Sequence, residues 1–314
     1  LHPIFNPAEI EKERGVIIEE INMYEDTPRR RAQELFGRAL YGDQPAGRSI
    51  LGTKSTIRAM KQAAFLNYRR AHYVAKATTV IVAGNINTED AFKKVKSYFE
   101  ALPKSNVQKK QRVRDTQRKL NANAEYKKSD QAHFLLGFRS VPVGHKDFYA
   151  IEVLKSVLGV GMSSRLFRKL REEMGVCYYV RAESENHSDH GKFSIASGVD
   201  NLRIGQVLNA IALELKMLKK NLVPAEELEK AKECLLGPLL TGLEASDEVA
   251  QYFGSQEVMR QKLVLPREYV EKVKNVTAEQ VRTAAKKLFQ NNNANFAIIG
   301  PFHNSSSFKK ILKF

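Results

Sequence analysis

Tryptophan is absent from the 314 residues, and cysteine is nearly so, with Cys177 and Cys234 alone. Those two lie in an expected strand and an expected helix and match no disulfide or zinc-finger spacing. Such usage suits a reducing compartment, so the sequence reads as cytoplasmic. No run of eighteen apolar residues occurs, which excludes a membrane-spanning helix and gives no membrane partner. The start carries neither a basic segment nor an apolar signal core, although a start cut short would hide one. Histidine is scarce and dispersed: His2, His72, His133, His145 and His303 show no helical pairing, and no His-Glu-x-x-His or its inverse occurs.

What is present is a globular composition, 43% hydrophobic and 27% charged, long enough for two cores. The net charge of +16, from 51 basic against 35 acidic residues, is clustered. Arg29-Arg30-Arg31 sits at a helix boundary, and Lys104 to Lys119 forms a polar linker. No aromatics interleave the basic run and no nucleic-acid module is recognisable, so nucleic acid is not the expected partner. A solvated linker or attraction of acidic peptides accounts for the charge. A basic nucleic-acid binder, the third class weighed, predicts binding that falls steeply with salt.

Carboxylates crowd the first helical pattern, Glu9-Ile10-Glu11-Lys12-Glu13-Arg14-Gly15-Val16-Ile17-Ile18-Glu19-Glu20-Ile21. Ile10, Ile17, Ile18 and Ile21 recur at helical spacing, and Glu13 and Glu20 fall two turns apart on nearly one line. A second copy occurs at Pro224 to Pro238. Setting Ile10 on Leu228 puts Ile17-Ile18 on Leu235-Leu236, but Glu13 on Ala231 and Glu20 on Pro238. The two acids in register are the ones the copy lacks, which points to a metal site in the first copy; a solvated acidic face is the alternative.

A second match supports a duplication. Ile57, Met60, Phe65, Tyr73 and Val82-Ala83-Gly84 pair without a gap with Val273, Val276, Val281, Phe289 and Ile298-Ile299-Gly300, each a helix feeding a strand. The stretch from about 123 to 221 precedes the shared helix in the second half only. The chain is therefore expected to begin partway through its first domain, short of roughly 90 to 100 residues if the copies are of similar size. Exposed core and strand edges would then need cover from the same polypeptide, another chain or a rearranged pairing.

Helices are expected over 7–25, 28–40, 61–73, 146–158, 163–174, 202–220, 224–242, 246–261 and 277–289, with Asn87 capping another to about 101. Strands are expected over 78–84, 123–128, 132–140, 176–186, 192–199 and 294–299. Strands and helices come in neighbouring pairs, an α+β pattern of two related domains, each an antiparallel sheet packed with helices. The division is 1–103 for the first domain, 104–122 for the basic linker and 123–314 for the second domain.

In the second domain, Gly159-Val160-Gly161-Met162-Ser163-Ser164-Arg165 opens a helix, with Ser163 as its cap, but lacks the spacing of a phosphate-binding loop. Arg171 at that helix's end and Tyr178 at the next strand's start could reach one pocket; a surface Arg and a strand Tyr are the plain alternative. His187-Ser188-Asp189-His190 has a metal-like spacing, yet it falls between two strands and reads as a polar hairpin turn.

These features resemble the pitrilysin/insulinase family of zinc metallopeptidases, which includes the processing peptidases. The likeness rests on Glu13 to Ile21 with Asp26 and Pro28, on Tyr41 to Gly52, and on Gly161 to Phe167 continuing through Arg171 and Gly175 to Tyr178. It implies Zn2+ as cofactor, with Glu20 as the distal ligand, Glu13 as a supporting acid, and Arg171 and Tyr178 as a clamp on the substrate and the reacting carbonyl. It also implies extended peptides or unfolded proteins as substrates, and a homodimer or a related peptidase subunit as a possible partner. The two histidine ligands and the glutamate base belong to a His-x-x-Glu-His helix that this sequence does not contain. The resemblance thus implies a zinc endopeptidase of which these 314 residues alone are inactive and hold zinc poorly. A non-catalytic subunit of a heteromeric peptidase is the alternative.

Overall fold

The computed structural model describes residues 3–260 and 262–314. His2 and Gln261, the last residue of the helix expected over 246–261, lie outside them. Local chemistry sets where helices begin. Asn6 Oδ1 accepts a bond from the Ala8 N–H at 2.9 Å, and Pro7 opens α1 (Pro7–Asp26). Pro28 likewise opens α2 (Pro28–Tyr41). Thr53 caps α3 (Lys54–Ala59), which is followed by α4 (Gln62–His72). Asn87 caps α5 (Thr88–Phe99) as its position predicts, accepting from the N–H groups of Glu89 and Asp90 at 2.9 and 3.1 Å.

The chain continues through β1 (Asn121–Tyr126), β2 (Gln131–Ser140), α6 (Phe148–Gly159), a π-helical segment (Phe167–Glu173), β3 (Cys177–Asn186) and β4 (Gly191–Asp200). It ends with α7 (Ile204–Lys220), α8 (Ala225–Gly242), α9 (Ser246–Arg260), α10 (Pro266–Lys274), α11 (Ala278–Leu288), β5 (Ala294–Gly300) and α12 (Ser306–Ile311).

These elements gather into two compact units that interleave along the chain. The first takes the described residues of 1–24, 49–112 and 242–263; the second takes 25–48, 113–241 and 264–314. Helix α2 therefore sits with the second unit, although it follows α1 directly, and α9 sits with the first. The basic stretch is also divided. From Val113 onward it is tied into the second unit, where the Val113 N–H donates to Asp189 Oδ2 at 3.0 Å and the Arg114 N–H to Gln44 Oε1 at 2.6 Å.

The second unit is built on one five-stranded sheet in the order β1-β5-β2-β4-β3. The fold is α+β. Three of its ladders are antiparallel, while β1 and β5 run parallel. One face buries Phe134, Phe138, Phe193 and Phe296 against α6, α7 and α11. The other receives α2, whose Ala32, Phe36 and Leu40 pack on Leu135, Ala196, Ala297 and Ile299. Burying Phe36 and Leu40 contributes about 1.5–3 kcal/mol each. Covered on both faces, β5 reads Ala-Asn-Phe-Ala-Ile-Ile-Gly and is buried at every position, which is why it lacks polar alternation.

Two expectations need correction. Residues 78–84 carry a strand's sequence but form no ladder, because the first unit contains no strand among its described residues to pair with. The helix expected to run unbroken over 163–174 is instead π-helical from Phe167 to Glu173, and Ser163 does not cap it. It is the Ser164 hydroxyl that turns back, donating to the Gly161 carbonyl at 2.7 Å.

Candidate functional site

In the first unit, Arg14 anchors α1 by donating to the carbonyls of Arg58 and Met60 at 2.9 and 2.8 Å. Ile21 is buried, and Ile10, Ile17 and Ile18 are half-buried, so the expected apolar stripe faces inward. Glu9 and Glu11 are engaged with Lys12 and Arg14. Glu13 is exposed and Glu20 half-buried, and among the described residues neither makes a hydrogen bond or an ion pair. Glu19 is likewise unpaired but lies about 100° around the helix from Glu20. Glu13 and Glu20 thus stand about 10 Å apart on one line with their carboxylates uncommitted.

The copy shows what such positions do when no charge is wanted. Ala231, the counterpart of Glu13, is buried, and its carbonyl accepts the Ser156 hydroxyl at 2.7 Å. Pro238, the counterpart of Glu20, lies inside α8. The two positions are apolar in one copy and acidic in the other. No group of three or more His, Cys, Asp or Glu side chains among the described residues is placed to hold a metal ion. Zinc takes three or four protein ligands, so Glu13 and Glu20 do not compose such a site by themselves.

In the second unit, the segment from Gly161 to Tyr178 is held at both ends by backbone that favours glycine, with φ of +78° at Gly161 and +59° at Gly175. Arg165 locks its start. The guanidinium forks onto Glu227 at 2.6 and 2.8 Å and reaches Glu214 at 3.6 Å. The Glu227 bond raises its already high pKa, so this half-buried pair is fixed as an ion pair. That role was not legible in the sequence, where Arg165 is one basic residue among several.

Arg171 and the backbone next to Tyr178 meet at the segment's end. Arg171 Nη1 donates to the Cys177 carbonyl at 2.8 Å, one residue before Tyr178. Tyr178 occupies an irregularity in the β3–β4 ladder, between the paired Cys177 and Tyr179, and is 57% exposed. A bulge re-aims the side chain it carries, and a π-helical turn shifts the register of a helix end. Here the π-helical segment ends at Glu173 and the irregularity falls at Tyr178, at the two ends of one connection. Tyr178 thus presents an exposed phenol one residue after the carbonyl that Arg171 holds, and the guanidinium keeps N–H groups beyond the one given to Cys177. Such a pair can donate hydrogen bonds to a carbonyl oxygen. Burial pushes the Cys177 thiol up, which leaves it protonated near neutral pH and a poor nucleophile.

His187 and His190 sit in the β3–β4 turn, as the hairpin reading expects. Their rings stack at 4.5 Å, and His190 Nδ1 bonds Asp189 Oδ1 at 2.7 Å. Asp189 is committed as well to the Val113 N–H. Among the described residues no helix is long and apolar enough to cross a membrane.

Comparison with known proteins places this geometry. Residues 59–235 match the family described as Peptidase M16 inactive domain. A Bacillus subtilis protein named as an uncharacterized zinc protease is 33% identical over 310 residues, covering 98% of this chain and 74% of the relative. Among solved structures, a protease from Helicobacter pylori superposes with a TM-score of 0.88 at 21% identity, over 94% of this chain and 72% of that one. A peptidase M16 inactive domain from Pseudomonas fluorescens gives 0.87 at 19% identity, over 96% and 72%. Those two likenesses are of fold. With more than half of its residues in the family match and a relative aligned almost end to end, the chain belongs to the M16 peptidase family.

Proposed function

We propose that the full-length protein is a zinc-dependent endopeptidase acting on extended peptides or unfolded proteins, and that these 314 residues carry its substrate clamp and one metal ligand. Glu20 is that ligand and Glu13 the acid that supports it. The carrying observation is the contrast between the copies: uncommitted carboxylates at positions 13 and 20 of α1, against a buried Ala231 and an exposed Pro238 in α8. The copy keeps Glu227 and Glu229 for Glu9 and Glu11 and lacks the acids at 13, 19 and 20, of which Glu13 and Glu20 share one line of the helix.

Arg171 and Tyr178 bind and orient. Their donors meet a peptide carbonyl, and a bond that tightens as charge develops on that oxygen contributes about 3 kcal/mol per donor. Glu20 and Glu13 lie on a helix rather than a loop, which holds a ligand's direction firmly. Zinc, when bound, supplies the activation of water. The chain alone lacks the other ligands and is non-catalytic.

A second reading is favoured by the family description itself, which is of an inactive domain. In that reading the chain is the non-catalytic subunit of a heteromeric peptidase and contributes only Arg171 and Tyr178. Metal analysis with a peptide-cleavage assay separates the possibilities. The 314 residues alone should show neither stoichiometric zinc nor turnover, whereas full-length protein should show both; zinc and turnover in the isolated chain would sink the proposal. A metal-free full-length protein that raises a partner's cleavage rate would establish the second reading.

A further inference from the structure

The second unit holds a cavity of about 560 Å³ that the peptidase reading does not use. It lies between the end of β2, the start of α6, the end of α11 and the part of the basic stretch from Asp115 to Arg118. Ser140 in its wall pairs with Gly191 beside the β3–β4 turn, whereas Cys177 pairs with Val199 at the other end of that ladder. Strand residues rise about 3.3 Å each, so the length of β4 from Gly191 to Val199 puts about 26 Å between the cavity and the clamp.

The charges in its wall do not cancel. Asp115 and Asp147 are each already held, Asp115 by Arg139 Nη1 at 3.1 Å and Asp147 by Lys287 Nζ at 2.7 Å. That leaves Arg118 and Lys146 without a carboxylate partner among the described residues. Arg118 Nη1 donates to the Gln117 carbonyl at 3.3 Å and the guanidinium keeps its other N–H groups, while the Lys146 ammonium makes no bond among the described residues. Two neutral donors join them. His145 Nδ1 accepts from the Asp147 N–H at 3.1 Å, so in the neutral ring the proton sits on Nε2 and is available to a ligand. The Asn292 amide is likewise uncommitted among the described residues, whereas the amides of Gln117, Gln290 and Asn293 are spent on backbone carbonyls. The start of α6 and the end of α11 both border the cavity, so their opposite helix-end charges offset one another and the side chains decide its sign.

We propose that this cavity binds a small molecule through an oxyanion group, a phosphate or a carboxylate. Arg118 and Lys146 supply the charge, and His145 and Asn292 supply further donors. A planar guanidinium fork with a mobile ammonium is the donor set that such oxygens accept from most strongly. The wall's two carboxylates are neutralised by their own partners, so a bound anion meets no free acid. The volume suits one small molecule, since ligand pockets run from about 300 to 1,000 Å³.

Isothermal titration of full-length protein with inorganic phosphate and, separately, with succinate at constant ionic strength tests this. The readout does not depend on zinc or cleavage, so it stands or falls apart from the peptidase reading. At least one anion should bind saturably with a Kd of about 1 mM or tighter. Binding of phosphate alone would assign a phosphorylated ligand, and binding of succinate alone a carboxylic acid. In the double variant Arg118→Gln with Lys146→Gln the Kd should rise at least about tenfold, as loss of charge-assisted bonds requires. Both side chains are exposed, so the thermal midpoint without ligand should stay unchanged. Asn292→Asp, which adds a negative charge to the wall at an exposed position, should weaken binding in the same way. Absence of saturable binding by either anion would overturn the proposal. So would a Kd unmoved in both variants, the result expected if phosphate were held at a bound zinc instead.

Discussion

Arg171 and Tyr178 carry the substrate side of the account, and their exposure separates function from stability. Neither packs in a core, so Tyr178→Phe and Arg171→Lys should leave the thermal midpoint of full-length protein within about 1–2 °C. Each should lower kcat/KM by about 100-fold, as loss of one donor to a developing oxyanion does. An unchanged kcat/KM in either variant would remove that residue from the clamp. In the sequence their positions at a helix end and a strand start suggest one pocket, and resemblance alone implies their role. The connection between them carries a π-helical turn and a ladder irregularity, neither of which has a periodicity to read.

His133 offers a second residue-scale test. Its pKa is lowered, first by burial and then by Arg29, and its Nδ1 lies 3.2 Å from the Tyr179 hydroxyl, under a ring that Arg29 caps at 4.6 Å. A base depressed on folding binds fewer protons in the folded state than in the unfolded one. Stability is therefore complete above the unfolded histidine pKa, about 6.5, and declines as pH falls below it towards the depressed folded value. Urea midpoints of wild type should drop between pH 8 and pH 5, and His133→Gln should flatten that drop. A parallel decline in the variant would place the titration elsewhere.

At the scale of elements, the helices were legible because their caps and apolar spacing are local. Asn87 caps α5 as its position predicts, and α2 appears at its expected place. Which sheet α2 would cover was not legible, since an apolar stripe does not name its partner. Phe36→Ala should cost about 3–5 kcal/mol in denaturant unfolding of the second unit, the range for a fully buried phenylalanine. A loss under 1 kcal/mol would mean that α2 is not held on the sheet. Strand 78–84 was read from the same β-branched composition that marks β5, but pairing is a property of two segments.

Gly175 tests the geometry of the clamp's support. A Cβ there meets nothing within 4 Å, so Gly175→Ala introduces only the strain of a φ of +59°. That strain costs about 1–2 kcal/mol, and Gly175→Asn should recover part of it. Equal midpoints for glycine and alanine would show that the backbone is free to leave this conformation.

For the whole molecule, the duplication explains more than composition does. The net charge of +16 says little about function, because its clusters lie in a linker and a helix start. Comparison of the copies instead singles out the proposed ligand Glu20 and its proposed support Glu13, and the chain belongs to the M16 family. The exchange of α2 and α9 between the compact units was hidden from the sequence, since chain order alone suggests a division near 103–122.

Zinc content of the full-length protein bears most directly on the central claim, measured for wild type and for Glu20→Gln by elemental analysis after gel filtration. The account predicts close to one zinc per chain in wild type and a large loss in Glu20→Gln, with the thermal midpoint of the chelated forms unchanged. Stoichiometric zinc retained by Glu20→Gln would contradict it.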